Sequence, residues 1–140
     1  MKSAGYSGTP LEKKLGMREG FVISILHPPP NYFDLFTKWP EGLQIVKGGR
    51  KKRNLIHYFA KEQAQLVKDL YDLKNNIEQN GMIWISWPKK SSGVATDITE
   101  DIIRNLALQH GLVDIKVCAV DAIWSGLKLV IPVKERNKHQ

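Results

Sequence analysis

Short apolar runs alternate with segments of helical periodicity along the 140 residues of this chain. Phe21–His27 is the clearest run, because Gly20 and three consecutive prolines bound it. An apolar run of this length with turn residues on both sides predicts a strand that is buried on both faces. The same pattern predicts three more strands, at Leu43–Lys47, Asn54–Ala60 and Met82–Trp87.

Two longer segments have the periodicity of amphipathic helices. Lys61–Asn80 carries apolar residues at helical spacing as far as Ile77 and is followed by Gly81, a helix-stopping residue. Asp97–His110 has the same pattern and is followed by Gly111. In the first half of the chain a short helix is predicted with its start at Thr9–Glu12 and its end at Gly16, and a short helix or turn is predicted at Asn31–Phe36.

The last part of the chain predicts a β-hairpin. Val113–Asp121 and Leu127–Val133 read as strands, and the tight connection Ala122–Gly126 joins them. Strands that alternate with helices form a mainly parallel sheet with right-handed crossovers, and the hairpin adds one antiparallel strand. We therefore predict a single α/β domain over residues 1–140, a three-layer Rossmann-like sandwich, with a flexible arm at 1–9 and a flexible basic tail at 134–140.

Composition excludes several classes of protein. The 42% of hydrophobic and 25% of charged residues are ordinary for a globular chain, and no apolar run approaches the roughly 20 residues that cross a bilayer. The start MKSAGYSGTP has no apolar signal-peptide core, so we expect a cytoplasmic protein and no membrane partner. A single cysteine, Cys118, excludes an internal disulfide and a cysteine-rich metal site, and its apolar neighbours predict a buried thiol.

The net charge of +7 and the pI near 9.5 call for an anionic partner. The cations concentrate in one glycine-containing segment and in the C-terminal tail, and both are expected to be solvated. Nucleic acid or a protein partner that binds this segment and the tail is the alternative function, although no nucleic-acid motif accompanies the charge. The residues of that alternative are Lys47, Arg50, Lys51, Lys52 and Arg53.

The preferred function places a small anionic ligand at one edge of the sheet. Ligands of open parallel sheets bind beyond the carboxyl ends of the strands, where three loops of this chain are expected to meet. The candidate ligand-binding residues in these loops are His27, Lys89, Lys90, Ser91, Ser92, Thr96, Asp97, Asp121, Trp124 and Ser125.

Within this set, the loop Lys89–Asp97 has the means to hold an anion. It offers two lysines, three hydroxyl groups, a glycine and the unpaired N–H groups of a helix start. The alternative is a purely structural loop, in which Thr96 or Asp97 caps the helix and Asp97 and Glu100 form a capping box. Both interpretations stay open at this point.

Enzyme motifs are lacking in the sequence. There is no Gly-x-Ser-x-Gly elbow, no Walker loop and no metal-ligand spacing, so no catalytic residue, metal or cofactor is assigned. His57 lies inside a strand and is predicted to be a core residue with satisfied hydrogen bonds, as Trp84 is predicted to be core. His27 with Asp121 is the remaining acid–base pair, for which no reaction can be named.

The order of elements after Met82, which is strand, loop, helix, strand and antiparallel last strand, resembles the C-terminal half of class I methyltransferases. That resemblance implies a glycine-rich cofactor loop after the first strand and an acidic residue at the end of the second. Here HPPPNY follows the first strand, and the second ends in Lys47 and Gly48. We therefore expect the fold without an active S-adenosylmethionine site.

A closer resemblance covers nearly the whole chain. SAGYSGTPLEKKLG at Ser3–Gly16, WPKKSSGVATDITED at Trp87–Asp101 and VCAVDAIWSGLKLV at Val117–Val130 resemble an uncharacterised bacterial family, domain of unknown function 3052. Three long motifs in the same order are specific evidence of membership. The resemblance implies no activity and no catalytic residue.

Overall fold

A computed structural model describes residues 8–136; residues 1–7 of the predicted arm (1–9) and residues 137–140 of the predicted tail (134–140) lie outside the described residues. Six strands form one sheet in the order β2-β1-β3-β4-β6-β5, in which β6 is antiparallel to both of its neighbours and the other pairs are parallel. The strands are β1 Val22–Leu26, β2 Gln44–Ile45, β3 Arg53–Phe59, β4 Ile77–Pro88, β5 Val113–Ala119 and β6 Trp124–Val130. The α/β, Rossmann-like class and the antiparallel last strand are confirmed.

Three α-helices flank the sheet, namely α1 Leu11–Leu15, α2 Gln63–Asn75 and α3 Glu100–Gln109. Helices α2 and α3 cover one face through an apolar cluster that includes Ile56, Ile83 and Ile85. The other face is covered by α1 and by the irregular segment between β1 and β2. Short 3-10 turns occur at Tyr32–Leu35, Lys90–Ser92 and Val133–Glu135, so the predicted tail begins in an ordered turn.

Two predicted helix boundaries are wrong. Helix α2 ends at Asn75 rather than at Asn80, because Ile77 begins β4 and pairs with Arg53 of β3. Gly81 lies inside β4, where a Cβ atom would come within 3.0 Å of the Arg53 carbonyl oxygen, so close strand approach rather than a helix end explains this glycine. Helix α3 begins at Glu100 rather than at Asp97.

Strand boundaries also differ from the prediction, and β4 begins five residues early, at Ile77 rather than at Met82. Strand β2 has only two residues, Gln44–Ile45, instead of the predicted Leu43–Lys47. Strand β6 begins at Trp124, three residues earlier than expected, because that residue pairs with Pro88 at the end of β4. Trp124 is therefore held by the sheet ladder rather than by a free turn.

Helix α1 is fixed to the sheet and to the irregular segment by buried polar contacts. The carboxylate of Glu12 is 7% exposed and accepts hydrogen bonds from the backbone N–H groups of Thr37 (3.2 Å) and Lys38 (2.8 Å). Glu12, at the predicted start of the helix, therefore makes a tertiary contact with the irregular segment. The indole Nε1 of Trp84, a core residue as predicted, donates to the Leu15 carbonyl oxygen at 2.9 Å.

A buried histidine lies at the centre of this second face. His57 Nδ1 is 3.0 Å from the Tyr32 hydroxyl and Nε2 is 2.8 Å from the Ser86 hydroxyl, and all three side chains are buried. Burial lowers the pKa of His57 to about 3, so the ring is neutral at physiological pH. The prediction of a core histidine with satisfied hydrogen bonds is confirmed.

This histidine should make stability depend on pH. The pKa of His57 is about 3 in the folded chain and about 6.5 in the unfolded chain, so between these values the unfolded state binds the extra proton. The free energy of unfolding should therefore fall as the pH drops below about 6.5, with a contribution of at most about 1.4 kcal/mol per pH unit. Urea denaturation of the wild type and of His57→Gln between pH 4.5 and 7.5 measures the contribution, since the carboxylates are common to both proteins. If the free energy of unfolding has the same pH dependence in the wild type and in His57→Gln, the contribution of His57 is contradicted. His110→Gln is the control and should keep the pH dependence of the wild type.

Candidate functional site

The sheet reverses its strand order between β1 and β3. From β1 the chain moves outward to β2, and it then returns past β1 to form β3 on the other side. Ligands of open α/β sheets bind at such a reversal, beyond the carboxyl ends of the strands. A cavity of about 420 Å³ lies at this point.

The cavity has an apolar floor and a polar rim. Its buried part, here called the floor, is formed by Tyr58 on the α2/α3 side of the sheet and by Phe59 and Trp124 on the opposite side. The exposed rim includes Lys61 and Gln65, together with His27, Pro30 and Glu62. A concave site with an apolar base and a few polar groups is the usual form of a small-molecule site.

His27 occupies the mouth of the cavity in a strained conformation. Its φ of 56° makes it the one residue other than glycine with a left-handed backbone in the part of the chain described here. Pro28 follows directly, and a proline restricts the backbone of the residue before it. The His27 ring meets Tyr58 edge to face at a centroid distance of 5.0 Å. Such strain costs on the order of 1–3 kcal/mol and is concentrated at functional sites.

Tyr58 is fixed in the cavity floor by helix α2. Its hydroxyl donates to Asp69 Oδ2 at 2.5 Å, and the same oxygen accepts from Gln65 Nε2 at 2.9 Å. Burial raises the pKa of Tyr58, and the hydrogen bond to Asp69 raises it further. The phenol is therefore a neutral donor that is already engaged, and it serves as a rigid wall.

The predicted anion loop Lys89–Asp97 borders a second cavity of about 670 Å³. Lys90 and Thr96 are among the residues that line it, together with Trp87. The loop is folded by its own hydrogen bonds, since the Lys89 N–H donates to the Ile123 carbonyl oxygen at 2.8 Å and Ser92 Oγ accepts from the Val94 N–H at 3.1 Å. Ser91 is exposed within the 3-10 turn of the same loop.

Asp97 acts as a cap, but for a different helix from the one predicted, and Thr96 is hydrogen-bonded to the connection that precedes that helix. Asp97 Oδ1 accepts a hydrogen bond from the N–H of Gln63, the first residue of α2, at 2.7 Å. Thr96 Oγ1 donates to the Lys61 carbonyl oxygen at 2.6 Å. Helix α3 is capped instead by Thr99, whose side chain accepts from the Ile102 N–H. The segment before α3 is therefore docked against the start of α2.

The start of α3 already carries negative charge. Glu100 and Asp101 lie in its first turn, and both form salt bridges with Arg104, which also pairs with Asp114 at 3.0 Å. Hydrogen bonds to Asp114 and Glu100 raise the pKa of Arg104. These carboxylates already occupy the positive end of the helix dipole. The helix start therefore attracts an additional anion less strongly than the sequence suggested.

The remaining predicted site residues shape the turn before β6. Asp121 Oδ1 accepts hydrogen bonds from the N–H groups of Ile123 and Trp124, both at 2.8 Å. Ser125 lies within β6, opposite Trp87 and Ala119. Of the ten predicted residues, His27 and Trp124 line the first cavity and Lys90 and Thr96 the second. Asp121 does not line the cavity of His27, so the proposed acid–base pair does not share a site.

Sequence reasoning missed the contribution of the connection between β3 and α2. Lys61, Glu62 and Gln65 line the first cavity, as do Tyr58 and Phe59. The predicted parallel sheet could have indicated this contribution. Because β3 is parallel to β1, the residues that follow both strands must lie at the same edge. Helix α2 was expected to start immediately after the strand, which left no connection to consider.

The basic segment between β2 and β3 has one buried cation, Arg53, and is therefore not solvated throughout. Arg53 is 3% exposed, and its guanidinium donates to Ser24 Oγ (2.8 Å) and to the carbonyl oxygens of Gly48 (2.6 Å), Gly49 (3.2 Å) and Lys51 (2.7 Å). The prediction that Arg53 contacts nucleic acid is therefore wrong, since the loop is wrapped around its side chain.

The other cations of this segment remain at the surface. Lys51 Nζ donates to Gln44 Oε1 at 2.8 Å and Lys52 Nζ to the Asn75 carbonyl oxygen at 2.6 Å, while Lys47 and Arg50 are exposed. The segment lies beside the first residue of β3, at the edge of the sheet opposite the two cavities.

Among residues 8–136, no group of three or more histidine, cysteine or carboxylate side chains could hold a metal ion. None of the helices in the same range has the length and hydropathy that crossing a bilayer requires.

The chain belongs to the family described as "Protein of unknown function (DUF3052)". The model of that family matches residues 52–133, which is more than half of the chain. The match includes β3 to β6 and the two long helices. No curated protein matches the sequence.

Solved structures show that the fold is that of class I methyltransferases. A SAM dependent methyltransferase from Aquifex aeolicus superposes with a TM-score of 0.63 at 12% identity, over 86% of this chain and 87% of that enzyme. An O-methyltransferase from neocarzinostatin biosynthesis, solved with S-adenosylmethionine, gives 0.61 at 10% identity over 91% of this chain and 51% of its own. The chain thus spans about half the length of some of these enzymes. Identities this low establish the fold alone.

Loss of the Arg53 guanidinium should destabilise the fold. Arg53→Met keeps the apolar stem but removes the hydrogen bonds that organise the Gly48–Lys51 loop, so we expect a loss of about 2 kcal/mol or more in the free energy of unfolding. Arg50→Met is the matched control, because that residue is exposed in the same segment, and it should change stability by less than about 0.5 kcal/mol. Urea denaturation measures both, and equal stabilities would refute the structural role.

Asp97 should stabilise α2 through its cap. Asp97→Ala removes the acceptor for the Gln63 N–H and should cost about 1 kcal/mol. Asp97→Asn retains an oxygen in the same position and should stay near the wild type, since asparagine caps about as well as aspartate. Chemical denaturation of the three proteins distinguishes a cap from a mere charge effect, which would destabilise both variants alike.

Proposed function

We propose that this member of the DUF3052 family binds a small planar molecule with an anionic group, and that it does so on a methyltransferase fold without methyl transfer. The observation that carries the proposal is the cavity at the strand-order reversal, with the strained His27 at its mouth. A cost in backbone strain at this position is consistent with selection for a site.

The S-adenosylmethionine of the structural neighbours does not fit this edge. The segment after β1 contains Pro28, Pro29 and Pro30, which have no N–H to donate to a ligand. The 3-10 turn Tyr32–Leu35 follows in place of a long helix, and β2 ends at Ile45 without a carboxylate at its end. The groups that normally cradle a nucleoside cofactor are therefore missing from these positions.

The lining residues define a different ligand class. Phe59 and Trp124, which meet edge to face at a centroid distance of 4.9 Å, offer aromatic surface to a flat, apolar body, and Tyr58 borders the cavity from the opposite side of the sheet. Lys61 is the lysine among the lining residues and attracts an anionic substituent, while Glu62 and Gln65 offer acceptors to a donor group. The volume of about 420 Å³ suits a ligand of one or two rings.

The first experiment is a thermal-shift screen of the purified protein. The panel contains aromatic carboxylates, nucleotides, sugar phosphates, S-adenosylmethionine and short nucleic acids, each at low and moderate salt. A ligand at one hundred times its dissociation constant adds about 2.7 kcal/mol of stability, which is readily detected. We expect a hit that tolerates salt among the planar anions and none for S-adenosylmethionine. A response to nucleic acid alone, lost with added salt, would favour the basic segment instead.

Variants at the two cavities then locate the hit. His27→Asn removes the ring but keeps a residue type that tolerates the left-handed backbone, and Lys61→Ala removes the cation. Each should weaken binding by about tenfold, or roughly 1.4 kcal/mol, in isothermal titration calorimetry. Lys90→Ala, which lines the second cavity, is the control and should bind normally.

The reverse pattern contradicts the assigned position. If Lys89→Ala with Lys90→Ala abolishes binding while the His27 and Lys61 variants bind normally, the ligand lies at the Lys89–Asp97 loop. Thermal denaturation of every variant in the absence of ligand confirms that each one is folded.

A further inference from the structure

A third cavity, at the lateral edge of the sheet beside β5, is lined by lysines. It has a volume of about 350 Å³ and lies between α1 and the edge strand β5. Lys13 and Lys14 of α1 line one side, and Lys116 and Cys118 of β5 line the other. We call this cavity the lysine cleft.

A fourth lysine adds to the charge of the cleft. Lys128 of β6 lies directly opposite Lys116 in the strand register. Like charges at directly opposed positions of a sheet destabilise it, so the pair has a cost in the empty protein. Within residues 8–136 the salt bridges belong to Arg104, and no described carboxylate forms one with these four lysines.

The positive charge is partly shielded from water. Burial lowers the pKa of the Lys128 ammonium, and the charge of Lys116 lowers it further. Burial raises the pKa of the Cys118 thiol, while the charges of Lys14 and Lys116 act in the opposite direction. Lys14 is held in place, since its Nζ donates to the Ala119 carbonyl oxygen at 3.2 Å. Lys14 is thus positioned beside the thiol and Lys128 is half-buried, while Lys13 and Lys116 are exposed at the rim of the cleft.

We propose that the lysine cleft binds a small phosphate-bearing anion. Several ammonium groups around one cavity match the two or more negative charges of a phosphate or a pyrophosphate, and lysine is a common phosphate ligand. The volume admits a small phosphate compound but not the length of a polymer. This site is independent of the cavity at His27, so either proposal can fail while the other holds.

The single cysteine of the chain reports on the cleft without labelling. Cys118 lines the cleft, and it is the only thiol in the sequence. A bound anion would cover it and would offset the lysine charges that favour its thiolate, so both effects slow alkylation. We expect 1 mM inorganic pyrophosphate to slow the reaction of Cys118 with N-ethylmaleimide at least fivefold. Slowing of that size means that most of the protein molecules have an occupied cleft at this concentration. Sodium chloride at the same ionic strength should not.

Charge variants test whether the lysines cause the protection. Lys116→Gln with Lys128→Gln should abolish it, and should also raise the melting temperature of the free protein because the opposed charges are gone. Lys68→Gln, an exposed lysine of α2, is the matched control and should keep full protection.

Four outcomes overturn the proposal. They are alkylation unaffected by pyrophosphate, equal slowing by chloride, protection that survives in the Lys116/Lys128 double variant, and protection by a short single-stranded RNA but not by pyrophosphate. The last would identify a polymer-binding surface in place of a small-anion site.

Discussion

Strand β3 has to be covered on both faces, and the chain supplies long helices for one face alone. β3 lies between β1 and β4, and its residues from Leu55 to Phe59 are buried. Helices α2 and α3 cover the side of Ile56 and Tyr58. The side of Leu55 and Phe59 is covered by a five-residue helix and by aromatic side chains from the segment between β1 and β2. Much of the structure follows from this shortage of helix.

Aromatic packing and buried polar contacts replace the missing helical layer. Tyr32 meets Phe36 and Phe59 edge to face, at centroid distances of 5.1 and 5.6 Å. The same residue hydrogen-bonds to His57. Glu12 binds two N–H groups of the irregular segment, which would otherwise lack helical partners. Without a long helix after β1, this part of the carboxyl edge presents side chains rather than the N–H groups of a helix start.

The sequence was informative where one local pattern decides the outcome. The sheet, the α/β class and the hairpin follow from apolar runs and turn residues, and His27 and Trp124 were placed at the correct edge. Tertiary pairing decided the rest. Ile77 satisfies the helical spacing of α2, but its pairing with Arg53 places it in a strand. The burial of Arg53 could not be predicted, because it is one of five cations in the same short segment. No local sequence pattern distinguishes the cation that turns inward from the four that stay at the surface. The rim residues Lys61 and Gln65 were missed since the connection after β3 is so short.

The cap of α2 by Asp97 links two parts of the chain that are 34 residues apart. A helix that caps itself can form locally, but α2 gains its cap only when the segment before α3 has docked. Opening of that segment therefore exposes the first turn of α2 as well, and the two should unfold as one cooperative unit. In hydrogen exchange, the Gln63 amide would then report the opening of a loop that is far away along the chain.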